Sequence, residues 1–177
     1  SLSLFTRLEL SATASPWPHG AMTHFRGRLY VGAPGAVRVY VADRDDTTGS
    51  FVASWTFGSG QMVTGLAVDR INNLVFAAAN GVIGRTPVSG AGSGTFTTVG
   101  SIANVRALAW SDHALSSSPG GVGGTGGSGQ GGLYALEGTT TPAFGRLWFI
   151  TTAQSRGLAT FSPFAYATSV TNWHDLA

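Results

Sequence analysis

The sequence predicts an all-β fold made of repeated four-stranded units. Short apolar runs rich in Val, Ile, Phe, Tyr, Trp and Thr alternate with turns containing Gly, Asn, Ser and Asp, as strands and hairpins require. No stretch of 10 or more residues carries helical periodicity. The pattern also recurs. Gly20 and Gly65 open similar segments 45 residues apart, and Leu66 and Leu108 stand at matching places 42 apart. A period in the low forties with four short strands per period is the signature of a β-propeller blade; the plainer alternative is a meandering β-sandwich.

The segments follow in order. Residues 1–19, with Leu2, Leu4, Phe5, Leu8 and Leu10, read as the lead-in strand of a preceding blade. Blade 1 is assigned to 20–60, where "HFRGRLYVGAPGAVRVYVADRDDTTGSFVASWTF" holds a turn at Gly27-Arg28 and a last strand with Trp55. Blade 2 is assigned to 61–104. Its first two runs flank Asn72-Asn73, a third follows Asn80-Gly81, and a last run contains Phe96. Blade 3 is assigned to 105–177, interrupted by a Gly-rich insertion at 113–144. "ALAWSD" is its expected first strand and "GRLWFI", opening at Gly145-Arg146, its expected second, with Trp173 in its last.

Blade 2 carries a family likeness. Gly65, Leu66, Ala67, Val68 and Asp69 form a "GLAVD" strand, Leu74 and Val75 open the next, and Ile83, Arg85 and Gly90 mark the third. These residues resemble the repeats of the YWTD and NHL propeller families. There a G-[LI]-A-[VL]-D strand leads to an L-Y-[WV] strand and then to an I-x-R-x-x-x-x-G run. Blade 1 has His24 at the Asp position, and blade 3 has Ser111 followed by Asp112. The resemblance implies a fold, not an activity, because propellers host many unrelated functions. Closed propellers carry about four to eight blades. Three blades and a strand therefore read as a fragment of a larger ring, or as half of a ring completed by a second chain.

Composition narrows the classes of function. The chain has 177 residues, enough for one domain with a core. Charged residues make up only 10%, against about 25% in typical soluble domains. All ten basic residues are Arg, scattered along the chain, and the formal charge is +2. That pattern provides no basic patch for nucleic acid. Cysteine is absent, which removes disulfides, thiolate metal sites and Cys nucleophiles. No apolar run is long enough to span a membrane as a helix. Low charge, absent Lys and the YWTD likeness point to an extracellular setting.

Few residues suggest chemistry. His24, Asp69 and Asp112 fall near the turn after the first strand of their units, so a propeller would gather them around one rim of its channel as a ligand-binding set. The structural alternative is that Asp69 caps its own turn. "DRDD" at Asp43–Asp46 resembles part of a calcium loop but lacks the Gly and Glu spacing, which favours a polar turn. No His pair at helical spacing and no G-x-S-x-G elbow is present. Trp17, Trp55, Trp110, Trp148 and Trp173 are candidates for stacking sugars or for packing between sheets. The tract Ser116–Gly132 is read as a passive loop or as an arm contacting another chain. No catalytic residue, metal ligand or cofactor is assigned. The expected function is a non-catalytic structural or protein-interaction segment whose partners are other chains or further blades. A hydrolase or lyase using the channel rim, and a carbohydrate-binding lectin-like propeller, are the alternatives.

Overall fold

The computed structural model describes residues 20–41, 51–57, 60–88, 94–112, 131–138, 145–158 and 160–170. The lead-in segment 1–19, the "DRDD" turn, Trp173 and nearly all of the glycine tract lie outside them. The described chain is all-β, with three antiparallel sheets of four strands and one helical turn. The first sheet contains β1 (Met22–Phe25), β2 (Arg28–Ala33), β3 (Ala36–Val41) and β4 (Phe51–Thr56). The second contains β5 (Val63–Asp69), β6 (Leu74–Ala79), β7 (Val82–Pro87) and β8 (Thr97–Ser101). The third contains β9 (Val105–Ser111), β10 (Gly132–Glu137), β11 (Gly145–Thr151) and β12 (Phe164–Val170). Within each sheet the strands are neighbours in sequence order, each antiparallel to the next. The sheets fall inside the segments 20–60, 61–104 and 105–177.

Local chemistry accounts for the hairpins. Ala79 pairs with Val82, leaving Asn80-Gly81 as a two-residue loop. Both loop residues are left-handed, with φ of 47° and 76°. This conformation suits Asn and Gly, and its twist matches that of the flanking strands. The same geometry closes β1 on β2 through Arg26 and Gly27, at φ 50° and 67°.

Packing explains the long apolar runs. β6 reads LVFAAA and is buried at all six positions. Its side chains alternate between two cores, as period-two geometry dictates. Val75, Ala77 and Ala79 join Tyr30, Val37, Val39 and Trp55 of the first sheet. Leu74, Phe76 and Ala78 join Leu108, Leu133, Ala135 and Ile150 of the third. β6 is thus covered on both faces, and a strand covered on both faces is apolar throughout rather than alternating.

The first strands draw together. Gly65 sits against β9 so closely that a Cβ there would meet Leu108 Cγ at 2.8 Å and Leu108 N at 3.0 Å. Glycine permits this approach because it has no side chain. Beside it, the Thr64 hydroxyl donates to the Val105 carbonyl at 2.5 Å. On the other side of β5, the Ala21 N–H donates to the Val63 carbonyl at 3.4 Å.

The third sheet corrects one expectation. Gly132–Glu137 lies inside the expected insertion 113–144, yet it forms β10, paired with β9 on one side and β11 on the other. The "GRLWFI" run is therefore the third strand, not the second. Its opening Gly-Arg-Leu-aromatic imitates the start of β2, but local resemblance does not set pairing. Leu133 and Ala135 of β10 fill the core beside β9, and that burial decides the order. Of the glycine tract, only Gly131 and Gly132 are described. The contact-arm expectation for Ser116–Gly132 therefore lies almost wholly outside the described residues.

Between β11 and β12 the chain makes one helical turn, α1 (Thr152–Ser155). Thr151 and Gln154 form a capping box: the Gln154 N–H donates to the Thr151 hydroxyl at 3.3 Å, and the Thr151 N–H donates to the Gln154 side-chain carbonyl at 3.0 Å. The Thr152 hydroxyl donates to the Gly131 carbonyl, tying the chain entering β10 to this turn. Among the described residues no helix is long and apolar enough to cross a membrane.

Candidate functional site

Asp69 ends β5, and its side chain is fully buried. Its Oδ1 accepts from the Ile71 and Asn72 N–H groups at 3.1 and 3.0 Å. Its Oδ2 accepts from the Asn72 side-chain amide at 2.8 Å and from Arg156 Nη2 at 3.2 Å. The first three bonds cap the turn between β5 and β6, as an aspartate at a turn readily does. The fourth crosses to the third sheet, where Arg156 caps the C-terminal end of α1. Asp69 is thus an inter-sheet tie with both oxygens occupied.

The other two expected ligands stand elsewhere. His24 is exposed on β1 and pairs with Leu29. The neighbouring pair Thr23–Tyr30 carries Tyr30 into the core with the second sheet, so His24 is on the face turned away from that sheet. Asp69 has the same strand parity as Ala67 and faces the third sheet. Asp112 follows β9, is exposed, and accepts a hydrogen bond from Trp110 Nε1 at 2.7 Å. The three residues lie near comparable turns, but His24 is turned away from the second sheet while Asp69 faces the third. Among the described residues, no group of three His, Asp or Glu side chains gathers as a metal ion would need.

The described tryptophans pack. Trp55 is 1% exposed and lies 5.4 Å from the Tyr30 ring centroid. Trp110 stacks on Phe76 across the second and third sheets, with centroids 5.6 Å apart. Trp148 belongs to the same core and donates from Nε1 to Glu137 at 2.7 Å. Tyr30 is buried in the core with Trp55. Burial pushes its phenol above the ordinary value of 10.0, and the charges of Arg28 and then Arg26 pull it partly back. The hydroxyl, buried and without a hydrogen-bond partner among the described residues, is held neutral and is no base at ordinary pH.

A polar concavity opens at the other end of the sheets. Val63 pairs with Ala79 there, whereas Asp69 pairs with Leu74 at the far end. Gln61 and Thr64, the Asn80-Gly81 hairpin, and Asn104 and Arg106 at the start of β9 line a cavity of about 380 Å³ between the second and third sheets. Asn104 is left-handed at φ 52°. Its carbonyl accepts from the Gly138 N–H at 2.9 Å, which binds this turn to the end of β10. No motif signalled the cavity in the sequence. Its two asparagines read only as turn residues, and Arg106 lies 45 positions from Gln61.

Comparison with known proteins adds little. No family model matches the chain, and no curated protein matches it. Among solved structures, it is similar to the crystal structure of the major Malassezia sympodialis allergen Mala s 1, at 13% identity and a TM-score of 0.41. The match covers 84% of this chain and 56% of that one, so the chain spans little more than half the length of that protein.

Proposed function

We propose that the chain is a non-catalytic structural or protein-interaction segment, its three sheets being consecutive blades of a β-propeller. The observation that carries this is β6 of the second sheet, apolar on both faces and covered on each by a neighbouring sheet. Consecutive blades bury their faces in this way. The converging first strands and the resemblance of Gly65–Gly90 to YWTD and NHL repeats agree with it. The outer face of the first sheet carries Met22 and Phe51, 64% and 52% exposed. On the third sheet, Tyr134 and Phe149 pair ring to ring on the face opposite Leu133 and Ile150. Such faces suit further blades or another chain, since exposed apolar patches mark interaction surfaces.

Residues 1–177 expressed alone should therefore self-associate. Size-exclusion chromatography with light scattering should report dimers or larger species. The double change Met22→Ser and Phe51→Ser should raise the monomer fraction. A monodisperse monomer that melts cooperatively at every concentration would refute the proposal.

A further inference from the structure

We propose that the cavity between the second and third sheets binds a small hydroxylated carboxylate, of the uronic acid class. Its volume of about 380 Å³ falls in the range of about 300–1,000 Å³ found for small-molecule sites. Its lining residues include five with hydrogen-bonding side chains, Gln61, Thr64, Asn80, Asn104 and Arg106, beside the apolar Met62, Ala103 and Val105. Amides both donate and accept, as sugar hydroxyls do. Among the described residues, Arg106 is the cavity's only charged lining group, and no carboxylate opposes it there. A guanidinium takes a carboxylate through two parallel hydrogen bonds, which sets orientation as well as affinity.

Arg106 also has a prepared seat. A Cβ on Gly138 would meet Arg106 Cγ at 2.5 Å and Nε at 2.6 Å, so the side chain lies flat against a bare backbone. The Gly138 N–H bonds the Asn104 carbonyl, so the same contact holds the loop that supplies a lining amide. A long side chain already restrained loses less freedom on binding. Among the described residues, no aromatic ring lines the cavity. A neutral sugar would find no stacking platform, and charge must carry the affinity.

The test uses the whole chain at neutral pH, titrated with glucuronate, glucose and sulfate while the side-chain amide signals of Gln61, Asn80 and Asn104 are followed by NMR. Glucuronate should shift these signals saturably and bind at least about tenfold more tightly than glucose, the scale of one charge-assisted contact. Arg106→Gln should weaken glucuronate binding by about tenfold or more with no change in melting temperature. Unmoved amides with the unmodified chain would overturn the proposal. So would equal binding of glucose, or unchanged binding by Arg106→Gln. Sulfate binding as tightly as glucuronate would replace the sugar acid with a simple anion.

Discussion

Phe76→Ala is expected to lower the free energy of unfolding by about 3–5 kcal/mol, the usual cost of emptying a buried aromatic position. Phe76 is fully buried at the centre of the middle sheet and stacks on Trp110 with ring planes 7° apart. Truncation removes the ring's burial, leaves a void and strands one face of Trp110. Collapse into the void is hindered because β5 and β9 already meet through backbone, with Gly65 against Leu108. Since whole domains are stable by about 5–15 kcal/mol, one such change removes a large share. Ile71, 62% exposed in the turn after β5, supplies the contrast. Ile71→Ala should move stability by no more than about 0.5 kcal/mol. Urea unfolding of both variants at one fixed protein concentration measures the difference. Equal midpoints would show that the face toward the third sheet is not a core.

Asp69→Ala should cost about 3 kcal/mol, the lower end for breaking one side of a buried ion pair. The lower end applies because Arg156 keeps 18% side-chain exposure. The loss has two parts: the amide cap of residues 71 and 72, and the counter-charge of a guanidinium whose Nε is already buried without a partner among the described residues. Arg156→Ala should cost less, about 1–2 kcal/mol, because Asp69 keeps its two backbone amides and the Asn72 amide. The asymmetry is itself informative. A double-mutant cycle by denaturant unfolding should show a favourable coupling between the two residues. An Asp69→Ala cost that is the same with and without Arg156, beside an Arg156→Ala variant as stable as the unmodified chain, would mean that Asp69 acts only as a turn cap.

These two sites also mark what the sequence could and could not reveal. The middle sheet was legible because its signals are local: LVFAAA between an Asn72-Asn73 turn and an Asn80-Gly81 turn leaves little choice of strand, and each turn sits where its φ values demand. The cap role of Asp69 was legible for the same reason. Its partner was not, because Arg156 lies 87 residues away and only the packing of the second sheet on the third brings them together. The misassigned strand order in the third sheet has a related cause. Gly145-Arg146-Leu147-Trp148 repeats the look of Gly27-Arg28-Leu29-Tyr30, whereas β10 hides behind a glycine tract and is identified by which side chains it buries. The capping box at Thr151 and Gln154 was written in the sequence as T-x-x-Q, yet one turn is too short to carry helical periodicity.

The proposed arrangement about a common axis makes a geometric demand. Strands near the axis must lie closer together than strands at the outside. The chain contains no cysteine, so paired spin labels can be placed without background. One pair joins Arg26→Cys and Arg70→Cys, at the first turns of the first and second sheets. The other joins Ser54→Cys and Thr98→Cys, exposed sites on the fourth strands, which pair with equivalent third-strand positions Arg38 and Gly84. Pulsed electron-electron distance measurement should find the fourth-strand pair clearly farther apart than the first-turn pair, as blades splay from an axis. Equal separations would describe flat sheets stacked as a sandwich and would contradict the propeller arrangement.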